Sequence, residues 1–139
     1  MGTFMSGRER PQHEAEKLRL RSKEFAYDVV RLVRNLPTTA EAKVIGGQLL
    51  RSGMSVAANY RATCRSRSRA EFISRIGIVI EEADESLFWL EALSEMGIVR
   101  GTLIETLLGE CEQLVSIFVA SQRTARRLAG FRTAPAASG

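Results

Sequence analysis

"SRAEFISRIGIVIEEADESLFWLEALSEMG", residues 68–97, decides the fold. Its apolar residues Phe72, Ile73, Ile76, Val79, Ile80, Ala83, Leu87, Leu90 and Leu93 return every three or four positions. That is the period of one helix face and not the alternation of a strand. Ser68 and Glu71 precede the run at the spacing of a capping box, in which hydroxyl and carboxylate each accept from an N–H the first turn leaves unpaired. Gly97 suits the left-handed conformation that closes many helices. The stretch reads as one long helix.

The same punctuation occurs twice more. "TTAE" offers Thr38 as N-cap and Glu41 ahead of Val44, Ile45, Leu49, Leu50, Met54, Val56 and Ala57, a helix running to about Cys64. "TLIE" offers Thr102 as N-cap and Glu105 ahead of Leu107, Leu108, Cys111, Leu114, Val115, Phe118 and Leu128, with Gly130 as the stop. From Glu14, the positions Leu18, Phe25, Val29, Leu32, Val33 and Leu36 keep helical spacing until Pro37 ends the segment. A cap is worth about 1 kcal/mol, so one alone says little. Caps at Thr38, Ser68 and Thr102, each opening an apolar-periodic run, specify four helices.

Connections this short make consecutive helices antiparallel neighbours. The expected architecture is all-α: an up-down-up-down antiparallel four-helix bundle over residues 14–130. Residues 1–13 are expected as a disordered lead and 131–139 as a disordered tail. With 139 residues, 45% hydrophobic and 26% charged, the chain is one domain with a core of its own. The opening residues lack the apolar run of a signal peptide, and no stretch approaches the roughly 20 apolar residues a bilayer requires. The expected location is cytoplasmic, with no membrane partner. Cys64 and Cys111 lack metal-ligand spacing and are expected to be reduced, packed thiols.

The net charge of +4 hides an uneven distribution. In a bundle of this topology the start of the first helix, the corner between the second and third, and the end of the fourth share one pole. Lys17, Arg19, Arg21 and Lys23 lie at the first of these; Arg61, Arg65, Arg67, Arg69 and Arg75 at the second; Arg123, Arg126, Arg127 and Arg132 at the third. Glu14, Glu16, Glu24 and Glu71 offset them, while Glu81, Glu82, Asp84, Glu85 and Glu91 make an acidic waist.

Two readings fit the basic pole. Cations at a helix C-terminus are favoured by the macrodipole, by about 0.3–1 kcal/mol, which accounts for Arg61, Arg65 and the last cluster as a solvated end. Arg69 does not fit, because it falls in the first turn of a helix. The other reading is a nucleic-acid site, with Arg61, Arg65, Arg67, Arg69, Arg123, Arg126 and Arg127 on phosphates. Across the antiparallel second and third helices, equal distances from the corner set Arg51 beside Glu82 and Glu85, and Asn59 beside Arg75, as polar clasps. Gly46, Gly47 and Gly53 interrupt the second helix at about 1 kcal/mol each, which suits close packing within the bundle or a crossing helix of another subunit.

Nothing points to catalysis. His13, the only histidine, lies in the expected disordered lead, so nucleophilic chemistry lacks a placed base, and no phosphate-cradling glycine motif is present. The carboxylates of the waist lack the Glu-x-x-His pairs of a di-iron bundle, so neither metal nor cofactor is expected.

The segment "QLLRSGMSVAANYRATCRSRSRAEFISRIGIVIEEADESLFWLEALSEMGIV" resembles the signature region of the 23S rRNA intervening-sequence, or four-helix-bundle, protein family. Gln48, Leu49, Arg51, Ser55, Val56, Asn59, Arg65, Ser68, Glu71, Phe72, Glu82, Glu85 and Gly97 stand at its pattern positions, within a likeness running from about Phe25 to Arg127. "SVAAN" lacks the family's usual proline, and "YRATCR" replaces a segment that normally carries a glutamate, making this corner more basic. The resemblance implies an up-down bundle that assembles as a cyclic homo-oligomer, commonly a pentamer. A related branch resembles the accessory protein of diversity-generating retroelements, a basic pentameric barrel that engages nucleic acid and a reverse transcriptase. The sequence thus leads to a non-enzymatic homo-oligomer whose basic pole binds RNA or DNA without reading sequence. The alternative is a scaffold or accessory subunit docking a partner protein such as a reverse transcriptase.

Overall fold

The computed structural model describes residues 9–130. They form α1 (Glu9–Arg34), α2 (Ala40–Thr63), α3 (Arg69–Glu95) and α4 (Thr102–Leu128), with no strand among the described residues. Residues 1–8 and the expected tail, with Arg132, lie outside them.

The helix ends follow local chemistry, with three departures from expectation. At α3 the Ser68 Oγ accepts from Glu71 N at 3.0 Å, as expected. Glu71 reciprocates one residue further out, accepting from Arg67 N at 3.0 Å. At α2 the cap is Thr39, not Thr38: Thr39 has the extended backbone (φ −76°, ψ 160°) that aims its Oγ1 at Ala42 N, 3.3 Å away. Glu41, already inside the first turn, favours the helix through the dipole rather than a capping box. At α4 the cap is Gly101 at φ 120°, a backbone that an L side chain resists, and Thr102 is already helical, so its hydroxyl makes no cap bond. The third departure is at α1, which begins at Glu9 and takes in residues 9–13 of the expected lead, His13 among them. Pro11 does not prevent this, because a first-turn residue has no helical partner for its N–H. At the far end of α3, Gly97 (φ 69°) closes a Schellman motif in which Ile98 N donates to Leu93 O at 3.0 Å and Gly97 N to Ser94 O at 3.1 Å.

Each helix packs on its sequence neighbours, and α1 also meets α4. Along α1–α2, α2–α3 and α3–α4 the contacting residue numbers rise on one helix as they fall on the other. A Cβ on Gly53 would stand 3.0 Å from Val29 Cγ1, so Gly53 lets α1 lie close on α2, and one on Gly46 would stand 2.7 Å from Cδ1 of Leu36, just past the end of α1. Between α2 and α3, the buried Ser86 Oγ lies 2.9 Å from Ser52 Oγ and also donates to Glu82 O. Between α3 and α4, the Cys111 thiol donates to Ala83 O at 3.3 Å and Gln122 Nε2 to Ile73 O at 3.2 Å. The core these contacts enclose includes Phe25, Val29, Leu49, Val56, Ile76, Leu90, Leu107 and Phe118. Tyr60, also buried, sets its ring 5.4 Å from that of Phe118. Each such side chain contributes roughly 1.5–3 kcal/mol by leaving water.

The cap assignments are testable one residue at a time. Ser68→Ala and Thr39→Ala should each lower unfolding stability by about 0.5–2 kcal/mol, whereas Thr38→Ala and Thr102→Ala should stay within about 0.5 kcal/mol. Denaturant midpoints at constant slope measure this; a larger loss at Thr38 than at Thr39 would contradict the assignment.

Candidate nucleic-acid interface

Opposed helix pairs bring the start of α1, the α2–α3 corner and the end of α4 to one end of the molecule. The contact that joins them is direct: Arg69 Nη1 donates to Leu128 O, at the C-terminus of α4, at 2.9 Å. This resolves the misfit of Arg69. Its own helix disfavours a cation in the first turn, but the neighbouring C-terminus, with unpaired carbonyls and a negative dipole end, favours it. Arg75 does the same for α2, donating from Nη1 to Ala62 O at 3.1 Å while its Nη2 pairs with Glu71 at 2.7 Å.

The cations of α1 are mostly engaged. Arg19 pairs with Glu16 at 2.5 Å, which holds the Glu16 carboxyl below its ordinary range. Arg21 binds Glu110 at 2.5 Å and Gln113 at 2.7 Å, reaching across to α4. Glu110 was missed from sequence because its distance along the chain hides it from any spacing rule. Lys23 lies over the Tyr27 ring, 5.8 Å from its centroid.

The other arginines of the corner and of α4 are different. Arg61, Arg65, Arg67, Arg123, Arg126 and Arg127 are exposed, and none of their guanidinium groups makes a hydrogen bond or ion pair with the described residues. They do not form a single cluster around one point. Arg67, with Arg69, stands at a groove between α1 and α4, Arg126 at a smaller hollow beside Ser74 and Glu81, and Arg61, Arg65, Arg123 and Arg127 at neither.

The polar clasp appears in half of its expected form. Arg51 binds Glu85 and, at 3.3 Å, Glu82, with its side chain about half exposed. Asn59 does not meet Arg75. Its short side chain instead donates to Ser55 O, one turn back in its own helix, at 2.9 Å, and the longer Arg75 reaches the end of α2.

The sequence profile of the 23S rRNA-intervening sequence proteins matches residues 16–120, most of the chain. The chain belongs to the 23S rRNA-intervening sequence protein family. It is also similar to a crystal structure of a protein of unknown function from the S23 ribosomal protein family of Bacteroides thetaiotaomicron. The two share 29% identity over 76% of this chain and 98% of that one, with a TM-score of 0.70. Among curated proteins none matches.

The family match takes in the corner arginines and the Arg51 clasp and ends before Arg123, Arg126 and Arg127. Among the described residues no three or more His, Cys, Asp or Glu side chains converge as a metal site. No helix among them is long and apolar enough to cross a membrane. Burial pushes the Cys111 thiol up to about 12, the nearby carboxylates Asp84, Glu112, Glu110 and Glu91 adding to the shift. Cys64 is exposed, and partial burial of its thiol also raises it.

A folded pKa above the unfolded one means that the native state holds its proton more tightly. The Cys111 contribution to stability is therefore complete below the ordinary thiol value of 9.0 and falls as pH rises from there towards about 12. At pH 8 a thiol reagent should modify Cys64 and spare Cys111 until the chain unfolds; equal reaction of both in the native protein would contradict that burial.

Proposed function

We propose that this family member is a non-enzymatic, homo-oligomeric up-down-up-down bundle whose basic pole binds RNA or another nucleic acid without reading its sequence. The observation that carries the reading is the number of unpaired guanidinium groups towards one end, Arg61, Arg65, Arg67, Arg123, Arg126 and Arg127. Of the other arginines with described side chains, only Arg34 and Arg100 are exposed without a partner, and Arg19, Arg21, Arg31, Arg51 and Arg75 hold carboxylates. Like charges left exposed at one end repel, and a polyanion removes that repulsion while releasing its own counterions. Arg69 joins them at the rim, with one nitrogen engaged on α4. The names of the family and of the S23 ribosomal relative agree with an RNA context.

Several copies acting together would raise the avidity of weak contacts. A ring, with five members as the favoured number, is supported by exposed apolar residues that flank Arg51 on the outer face of α2. Val44 is 64% and Met54 42% exposed there, in line with Gly47, around which a Cβ would meet nothing within 4 Å. Gly46 and Gly53 serve contacts inside the chain, so only Gly47 is left to serve a neighbouring copy. On α3, Phe88 is 58% exposed beside Trp89, whose Nε1 is buried without a hydrogen-bond partner among the described residues.

If about five phosphates are neutralised per duplex site, log K should fall against log salt with a slope near −4 to −5. Arg65→Glu with Arg67→Glu should make that slope shallower by about 2 units. A slope near zero, or retention of RNA by the double variant at undiminished affinity, would overturn the reading.

Assembly has its own test. Native mass spectrometry should find a multiple of the 15.4 kDa chain, and Val44→Asp with Met54→Glu should return it to one chain mass. A monomeric native protein, or an assembly indifferent to both substitutions, would remove the ring.

A further inference from the structure

The groove between α1 and α4 has a feature that phosphate binding does not require, an aliphatic floor. Leu18, Ile117, Ala120 and Leu128 line it, with Leu128 64% exposed. α1 and α4 pack less extensively than the other neighbouring helices, and α4 contributes small residues, Ala120, Ser121, Thr124 and Ala125, to the lining. Lys17, Arg67 and Arg69 stand around it, opposed by Glu14 alone, since Arg21 is neutralised by Glu110. Its volume is 1110 Å³, above the roughly 300–1,000 Å³ of small-molecule sites.

We propose that this groove docks an acidic amphipathic helix of a partner protein, its apolar residues on the aliphatic floor and its carboxylates facing Lys17, Arg67 and Arg69. The groove runs along α1 from Glu14 to Arg21, about 10 Å, and along α4 from Ile117 to Leu128, about 16 Å, the length of two to three helical turns. An amphipathic helix presents anchors at i, i+3, i+4 and i+7 over that distance. A single-stranded nucleic acid suits it less, because base stacking needs open aromatic faces. Tyr60 is only 4% exposed and packed on Phe118, leaving Phe72 alone among the lining aromatics with part of its ring towards the groove. Residues 1–8 and 131–139 contain no acidic side chain to match those cations. Arg61, Arg123 and Arg127 stand outside the groove and stay free for a polyanion, so the inference does not depend on RNA binding.

The test selects binders from a displayed library of 14-residue helices against the full chain. Apolar residues vary at the i, i+3, i+4 and i+7 positions, and Glu or Asp occupies most of the rest. Enriched peptides should bind the native chain at least tenfold more tightly than Thr124→Trp or Ser121→Trp, which fill the groove, and should weaken with Lys17→Glu plus Arg67→Glu. In the unaltered protein they should shift the methyl signals of Leu18, Ile117 and Leu128, a readout that needs no variant to fold. No enrichment over a scrambled library, unshifted methyls, or equal binding to a filled groove would overturn the proposal. So would a change of assembly mass in the filled variants, which would assign the groove to a second copy. Loss of RNA retention in them would assign it to nucleic acid.

Discussion

The α2–α3 pairing is the constraint on which the rest of the structure depends. Ser52 and Ser86 meet in the buried seam, where hydroxyls must find partners or cost roughly 1–3 kcal/mol each. Each also reaches a carbonyl of its own helix, Glu82 O for Ser86 and Leu49 O for Ser52, so the mutual contact marks the register at which two small polar side chains fit face to face. Arg51 repeats the same register at the surface, on Glu82 and Glu85. Ion pairs this exposed contribute little stability, on the order of 0–1 kcal/mol, so their part is to disfavour slippage. Once α2 and α3 are fixed, Gly46 and Gly53 seat α1 on one side and Cys111 and Gln122 seat α4 on the other.

That register decides the electrostatics. Two helix C-termini and two N-termini, that of α3 with a long arginine run before it, arrive at the same end, and the fold deals with this charge in two ways. Arg75 is spent on the carbonyl that ends α2 and on Glu71, while Arg69 gives one nitrogen to the carbonyl that ends α4 and keeps the rest of its guanidinium at the rim. The arginines further from those carbonyls stay in water. The distinction separates cations that hold the bundle together from those available to something else, and net charge alone could not have drawn it.

Much of this was legible in the sequence, and what was not has identifiable causes. The four helices followed from apolar period and caps, because both are local. The caps at α2 and α4 were each displaced by one residue, since adjacent Thr38 and Thr39, or Gly101 and Thr102, differ only in backbone angles that the sequence does not print. Arg51 with Glu82 and Glu85 was predictable from antiparallel symmetry, while the Asn59–Arg75 pairing failed because a one-turn carbonyl lies nearer to a short amide than a cation across the seam. The Glu110 partner of Arg21 and the α1–α4 groove depend on where non-consecutive helices meet. A run of small residues at Ala120, Ser121, Thr124 and Ala125 was the only trace of the groove, and alone it did not distinguish a gap from close packing.

The most direct measurement is to cross-link the assembled protein to RNA with ultraviolet light and map the attached peptides by mass spectrometry. The account predicts adducts on peptides carrying Arg61 to Arg69 and Arg123 to Arg127, at the pole where α3 begins and α4 ends. Adducts confined to the acidic waist around Glu81 to Glu91, or spread evenly over the helices, would contradict it.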